Sequence, residues 1–523
     1  MKKLPIGIQT FSEIRNSANY LYVDKTALIY EVITGAKVNF LSRPRRFGKS
    51  MTISTIKSIY EGDKQYFNGL WIENKWDWNK KHPVIHLSFA SIDYHHRGVE
   101  NAVIDKLKEI GQKYQINLVS TSHSSIFEEL IEKLAAAKGR VVILIDEYDK
   151  PIIDFLEKET LPIAMQNRAV LRNFYSIIKS ADPYIEFFLM TGVSKFSQTG
   201  IFSNLNHLDD LTLDERFGDL VGYTPNELTQ YFNEWIDYAW QKFPDISKAQ
   251  FMDHIRLWYN GYSWDGIGTV YNPYSILNFL QKRSFENYWF KTGTPTFLLK
   301  LMREQNDFLF NNLIASNSLI DSYDLENLDL RTILFQTGYL TVKHIDRMNG
   351  IYTLDYPNRE VEQSMTDYIL AEILHTSHTN SGIPVFQIKD AFLNNDLTKV
   401  IKIINAILKD VPYPLLRGKK EDFYHALVHL HFRYLGLLMD SEVNTSDGRM
   451  DAVVKTPTHI YIVEFKLNQS AEKALQQIKD NDYAAKYAID NKPIVLVGIN
   501  FNSRKKAIGS WKTEDYTPQS TNN

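Results

Sequence analysis

The chain has 523 residues, 44% apolar and 23% charged, with 59 Lys and Arg against 62 Asp and Glu for a net charge of −3. This composition is that of an ordinary globular protein. It excludes wholesale disorder and collagen-like structure, and no global positive charge marks a nucleic-acid coat or a membrane-surface protein. The absence of cysteine excludes disulfides, thiolate zinc centres, iron–sulfur clusters and cysteine nucleophiles.

The opening Met1-Lys2-Lys3 is basic like a signal peptide, but Gln9, Thr10, Ser12 and Glu13 interrupt any apolar region after it. No apolar run approaches the ~18 residues that span a bilayer. The chain therefore reads as soluble and cytoplasmic, with no membrane partner. At about 150 residues per domain, its length suggests three or four domains.

From residue 1 to about 220, short apolar runs alternate with helical patterns, which predicts a parallel α/β sheet. The runs are Val38–Leu41, Val84–Phe89, Val141–Ile145 and Ile185–Met190. After the first run stands Arg43-Pro44-Arg45-Arg46-Phe47-Gly48-Lys49-Ser50, and helical spacing continues through Ile53, Ile56 and Ile59. A strand, a loop ending in Gly-Lys-Ser and a helix form a phosphate-binding loop. Helix-terminal N–H groups there point at the anion. Lys49 would reach the β/γ-phosphates and Ser50 would ligate Mg²⁺. Arg43 departs from the usual pattern, which opens with glycine.

The strand Val141–Ile145 ends in Asp146-Glu147. Acids at the carboxyl end of a parallel strand stand where such sheets bind ligands. Asp146 would hold Mg²⁺ and Glu147 would polarise the attacking water. Thr191, after the Ile185–Met190 run, could sense the γ-phosphate. Arg172 and Arg216 are candidate arginine fingers, with surface pairing to an acid as the alternative for each.

From 221 to 320 the pattern is helical and aromatic-rich. The stretches Trp258–Trp264 and Tyr271–Ile276 could stack bases, but core packing is the preferred reading. Between 330 and 361, Tyr339–Val342 and Ile351–Leu354 flank an Asn349-Gly350 turn, a hairpin signal. Helical patterns on both sides make this region look like a winged helix.

From about 395 a helix precedes three strand-like runs, Glu442–Asn444, Met450–Val454 and Ile460–Phe465. A helix follows from Ala471 to about Tyr487, then the strand Pro493–Ile499, and a polar end from Asn502 that should fray. Asp451 leads one run and Glu464 ends the next, so a hairpin would bring them together. Alternation puts Glu464 and Lys466 on one face. Two carboxylates and a lysine can hold a hard divalent cation and activate water for attack on a phosphodiester, with Lys466 orienting it. A salt bridge from Lys466 to either acid is the alternative. Gln477 and Tyr483 on the next helix, and Glu421 on the preceding one, could support the site. Residues 396–523 carry 18 Lys and Arg against 15 Asp and Glu, which permits a nucleic-acid channel. His425, His429 and His431 have zinc-compatible spacing, but helix packing is preferred.

With these residues laid out, the chain resembles the bacterial AAA-ATPase-like proteins that carry a C-terminal PD-(D/E)XK nuclease-superfamily domain. The resemblance rests on Leu4–Gly7, Tyr22–Thr26, Arg43–Ser50, Asp146–Pro151, Thr191–Phe196, Gly448–Asp451, Glu464–Lys466 and Gln477-Ile478. It implies an additional-strand P-loop NTPase sheet (1–220), a helical lid (221–320), a winged-helix-like connecting region (321–394), an α/β PD-(D/E)XK nuclease-like domain (395–510) and a polar tail (511–523). It implies ATP and Mg²⁺ as cofactors. Arg45, Arg46, Phe47, Gly48, Lys49, Ser50, Met51, Asp146 and Thr191 would lie around the nucleotide. Glu147, Asp451, Glu464 and Lys466 would be catalytic, and Ser50, Asp146, Asp451 and Glu464 would ligate metal. DNA is the expected partner, and a homo-oligomer is compatible with this reading. The alternative function is a nucleotide-dependent switch or scaffold whose C-terminal domain binds nucleic acid without cutting it.

Overall fold

A computed structural model describes residues 1–17, 19–195, 208–290, 298, 301–302, 310, 312–316, 329–374, 383–410, 430–432, 434–435, 443–446, 449–481, 483–490, 492–502, 504–505 and 507–516. The chain forms two compact units. One takes Met1–Leu301 and Phe310–Val361, the other Met302–Leu309 and Glu362–Asn523. The helices after residue 220 and the hairpin near 350 therefore belong to the same unit as the phosphate loop.

The first unit is built on five parallel strands: β1 (Val38–Ser42), β2 (Val84–Ser88), β3 (Val141–Asp146), β4 (Ile185–Gly192) and β5 (Asp209–Asp210). Their order is β2-β3-β4-β1-β5, and all four pairings are parallel. The strand β4 lies between β1 and β3, which makes this the additional-strand arrangement. Every residue of β1 and β3 is buried, as expected where helices cover both faces of a parallel sheet. Leu41 pairs with Thr191 and Ile145 with Met190, so the carboxyl ends of β1, β3 and β4 stand level. The helix Lys49–Glu61 turns Ile53, Ile56 and Ile59 into the core.

Three helices follow, Pro225–Trp240, Lys248–Tyr259 and Pro273–Lys282. Capping boxes at Thr224/Glu227 and Ser247/Gln250 set the first two. Phe232, Ile236, Phe251, Tyr259 and Phe279 form a core that also takes in Leu4, Leu21 and Val23. Most of the aromatic-rich stretch is thus packing: Tyr259, Tyr262, Trp264 and Tyr271 are all buried.

A three-stranded antiparallel sheet, β6 (Leu313–Ser316), β7 (Thr341–Asp346) and β8 (Ile351–Asp355), has the order β6-β8-β7. The Asp346 carboxylate accepts from the Met348 and Asn349 N–H groups and closes the hairpin. The helix Leu330–Thr337 before it ends on Gly338, which has a φ of +90°. A Cβ there would stand 2.6 Å from the Pro44 ring, so only glycine lets this segment pack against the phosphate loop.

The second unit holds the sheet β13-β12-β11-β10-β9. Its strands are β9 (Val443–Ser446), β10 (Arg449–Lys455), β11 (Ile460–Leu467), β12 (Ile494–Asn502) and β13 (Ala507–Asp515). The strands β11 and β12 are parallel and joined across the helix Ala471–Asp480, whose Ala474, Leu475 and Ile478 face inward. Two expectations are corrected here. The helix stops at Asp480, not near Tyr487, where Asn481 caps it and a 3-10 turn follows over Ala485–Asp490. The polar end does not fray over 507–515, because β13 pairs antiparallel along β12. An edge strand needs backbone partners on one side only, and its charged residues protect the open side, so its sequence reads like a tail.

Candidate nucleotide and phosphodiester sites

The loop between β1 and the helix Lys49–Glu61 turns on Gly48, at a φ of +104°. Ser50 follows within the first helical turn, and its hydroxyl donates to the Asp146 carboxylate at 2.6 Å. The other oxygen of Asp146 accepts from the Thr191 hydroxyl at 2.7 Å. Strands β3 and β4 carry Asp146 and Thr191, and the loop after β1 leads into the helix that carries Ser50, so the parallel sheet brings the three together. A hydroxyl and a carboxylate in contact form a hard-oxygen donor set suited to Mg²⁺. The Lys49 ammonium donates to the Arg43 and Pro44 carbonyls at 2.9 and 3.0 Å, and burial pushes its pKa down.

Arg43, the residue in place of the opening glycine, is a buried brace. Its guanidinium donates to the carbonyls of Ser42 (2.9 Å), Thr212 (2.6 Å) and Phe217 (3.2 Å) and lies 4.2 Å from the Trp264 ring centre. Burial pushes its pKa down to about 9. Phe47 is buried edge-on against Tyr262 and Trp264. The loop is thus held by side-chain packing where a glycine-rich loop would rely on tight turns.

A cavity of about 380 Å³ opens over the loop. Residues 45–52, Glu147, Pro5–Gln9, Tyr223 and Tyr274 are among those lining it. Arg46 and Glu147 both take left-handed backbone, at φ of 70° and 54°. Such strain in non-glycine residues concentrates at functional sites. The segment Pro5–Gln9 and Tyr274 were not picked out as cavity residues from sequence, because no local pattern links them to residue 48. Lys25 fastens this wall: its ammonium donates to the Asp219 carbonyl and to Glu227, both at 2.7 Å.

Asp149 is a further residue whose place local pattern did not reveal. Its carboxylate is buried and accepts from the Val193 and Ser194 N–H groups at 2.9 and 2.6 Å. It thereby joins the segment after β3 to the exit of β4. Burial pushes its carboxyl up to about 6, against those bonds and Lys49. The folded state therefore holds this proton more tightly than the unfolded chain. The associated stability is fully present below about pH 4 and is lost as pH rises through about 6. An Asp149→Asn variant lacks this titration. Between pH 5 and 8 the Tm of the wild type should fall relative to the variant's, and parallel melting profiles would contradict the assignment.

The two candidate arginine fingers separate. Arg216 is gripped by Asp214 through bonds of 2.5 and 3.1 Å. Arg172 is exposed on the helix Leu161–Ser180 and is not among the residues lining the cavity.

In the second unit, Asp451 of β10 pairs in register with Glu464 of β11. Glu464 is fully buried, and one of its oxygens lies 2.7 Å from the Lys466 ammonium. Its other oxygen has no hydrogen-bond donor among the described residues. Lys466 also donates to Gln477, so the helix supports the site. Tyr483 packs on the core around Ile462 and Ile478 instead, and its hydroxyl accepts from Asn481 at 3.0 Å. A buried carboxylate with a free oxygen beside a lysine fits a divalent cation. Among the described residues no group of three or more His, Cys, Asp and Glu gathers as a metal cluster. The Asp451 side chain, Glu421, His425, His429, Glu442, Gly448 and Phe196 lie outside the described residues. His431 is buried on its helix. No described helix is long and apolar enough to cross a membrane.

Comparison with known proteins finds a family for each end of the chain. Residues 5–202 match the family described as predicted AAA-ATPase, and residues 419–511 match the PD-(D/E)XK nuclease superfamily. An uncharacterized protein in the vnfD 5' region of Azotobacter chroococcum mcd 1 is 37% identical over 525 residues, covering 98% of this chain and 99% of that one. Among solved structures, the Aeropyrum pernix ORC1 protein in complex with DNA is 13% identical, with 66% of this chain and 93% of that one covered at a TM-score of 0.24. The ORC2 protein of Aeropyrum pernix is 10% identical, covering 82% and 90%, also at 0.24. Scores this low do not bear on function. With near-complete coverage by its relative, and the phosphate loop and the Asp-Glu-x-Lys strands inside the matched segments, the chain belongs to the predicted AAA-ATPase family that carries a C-terminal PD-(D/E)XK nuclease-superfamily domain.

Proposed function

We propose that the first unit binds and hydrolyses ATP with Mg²⁺ and that the second cleaves DNA phosphodiesters with a divalent cation. The observation that carries the reading is the contact of Ser50, at the start of the helix after the phosphate loop, with Asp146 and of Asp146 with Thr191, at the carboxyl ends of β3 and β4. Lys49 would meet the β- and γ-phosphates, and Glu147 would orient the attacking water. In the second unit, Asp451 and Glu464 would hold a cation and Lys466 would orient water and offset charge on the scissile phosphate. A bound divalent cation would supply charge neutralisation and a water of lowered pKa at either site.

The Lys466–Glu464 ion pair also favours a second reading, in which this unit binds nucleic acid without cutting it. One assay separates the two. Purified full-length protein is incubated with duplex DNA and Mg²⁺ or Mn²⁺, with and without ATP, while ADP and DNA fragments are measured. Fragments that require metal support the nuclease. Retained DNA binding without fragments supports the second reading, and no ADP formation removes the ATPase.

A further inference from the structure

Two guanidinium groups of the phosphate loop face the cavity with no hydrogen bond or ion pair to a described residue. Arg45 and Arg46 both line it, and both are exposed. The other arginines considered are placed differently: Arg43 is buried on carbonyls, Arg216 is held by Asp214, and Arg172 is not a lining residue.

The two side chains have different neighbours. The Arg45 carbonyl accepts from the Trp289 indole N–H at 3.0 Å, and Arg46 takes its left-handed φ immediately afterwards. Arg46 lies 5.1 Å from the ring centre of Tyr274, which also lines the cavity. Arg45 lies near enough to Lys49, Tyr94 and Asp154 to influence the ionisation of all three. Glu147 lines the same cavity, and Asp154 is already taken by Tyr94 and Lys150 at 2.6 and 2.7 Å. The guanidinium of Arg45 is thus anchored at its base, free at its tip, and close to the lysine that would hold the terminal phosphates.

We propose that Arg45 is the cation that neutralises the γ-phosphate during hydrolysis, supplied in cis by the phosphate loop itself. The proposal rests on the ATP-hydrolysing reading above. In the step it serves, a water oxygen bonds to the γ-phosphorus while the bond to the β–γ bridging oxygen breaks. ADP leaves with that electron pair, and the water's proton passes to the phosphate and solvent. Negative charge grows on the bridging and γ-oxygens, where a planar fork of N–H donors binds more tightly than a point charge. A finger within the chain also means that no second copy is needed to complete the site.

The test uses full-length protein. Equilibrium binding of ATP should change little in Arg45→Ala, while kcat should fall about 10³-fold, the scale of an arginine finger. Arg45→Lys should recover part of that loss. An equimolar mixture of Arg45→Ala and Lys49→Ala should stay inactive, and wild-type activity per molecule should not change on dilution. Normal kcat in Arg45→Ala would overturn the proposal. So would activity regained in the mixture, or a collapse in Arg172→Ala that Arg45→Ala does not share. If the wild type binds no ATP, the parent reading fails. If it hydrolyses ATP and Arg45→Ala does so equally well, only this inference fails.

Discussion

Arg43→Ala is expected to loosen the phosphate loop and destabilise the first unit by about 3 kcal/mol. Two effects oppose each other. Removing a buried charge relieves the desolvation that holds this guanidinium at about 9, worth at most about 5 kcal/mol. Against that, the carbonyls of Ser42, Thr212 and Phe217 lose their donor, at about 2 kcal/mol each. The Trp264 face also loses its cation, about 2 kcal/mol in a desolvated setting. The losses exceed the relief. Because Thr212 and Phe217 lie about 170 residues along the chain, their release also frees the first turn of the loop. If re-ordering it costs about 2 kcal/mol, ATP affinity drops roughly 30-fold. Denaturant titration and equilibrium nucleotide binding measure the two parts. Arg216→Ala, which breaks an exposed pair with Asp214, should leave stability close to that of the wild type. Equal effects in the two variants would show that Arg43 is no brace.

Glu464→Gln should abolish metal-dependent DNA cleavage, with a loss of at least about 10²-fold, while DNA binding persists. The carboxylate is completely buried, bonded to Lys466 through one oxygen and, among the described residues, without a donor at the other. The amide keeps the volume and one acceptor but removes the charge that would draw a cation. Its NH₂ group cannot serve as a ligand. Folding is checked separately by thermal melting, since the Lys466 ammonium keeps Gln477 as an acceptor. Mn²⁺ calorimetry on the same variant should show binding lost from the second unit. Undiminished cleavage would remove Glu464 from the site.

The residue pattern by itself determined what depends on neighbours in sequence. A strand-loop-helix period placed Lys49 and Ser50 at a helix start, two-residue alternation set Glu464 beside Lys466, and a short connection between two apolar runs brought Asp451 opposite Glu464. Strand period and turn chemistry act over a few residues, so they can be read locally. Only the tertiary structure decided that Arg43 braces the loop, that Asp149 ties two strand exits together, and that Pro5–Gln9 and Tyr274 wall the cavity. These contacts join residues tens to hundreds of positions apart. What selects them is the packing of whole elements and the need to satisfy buried polar groups, which no local spacing records.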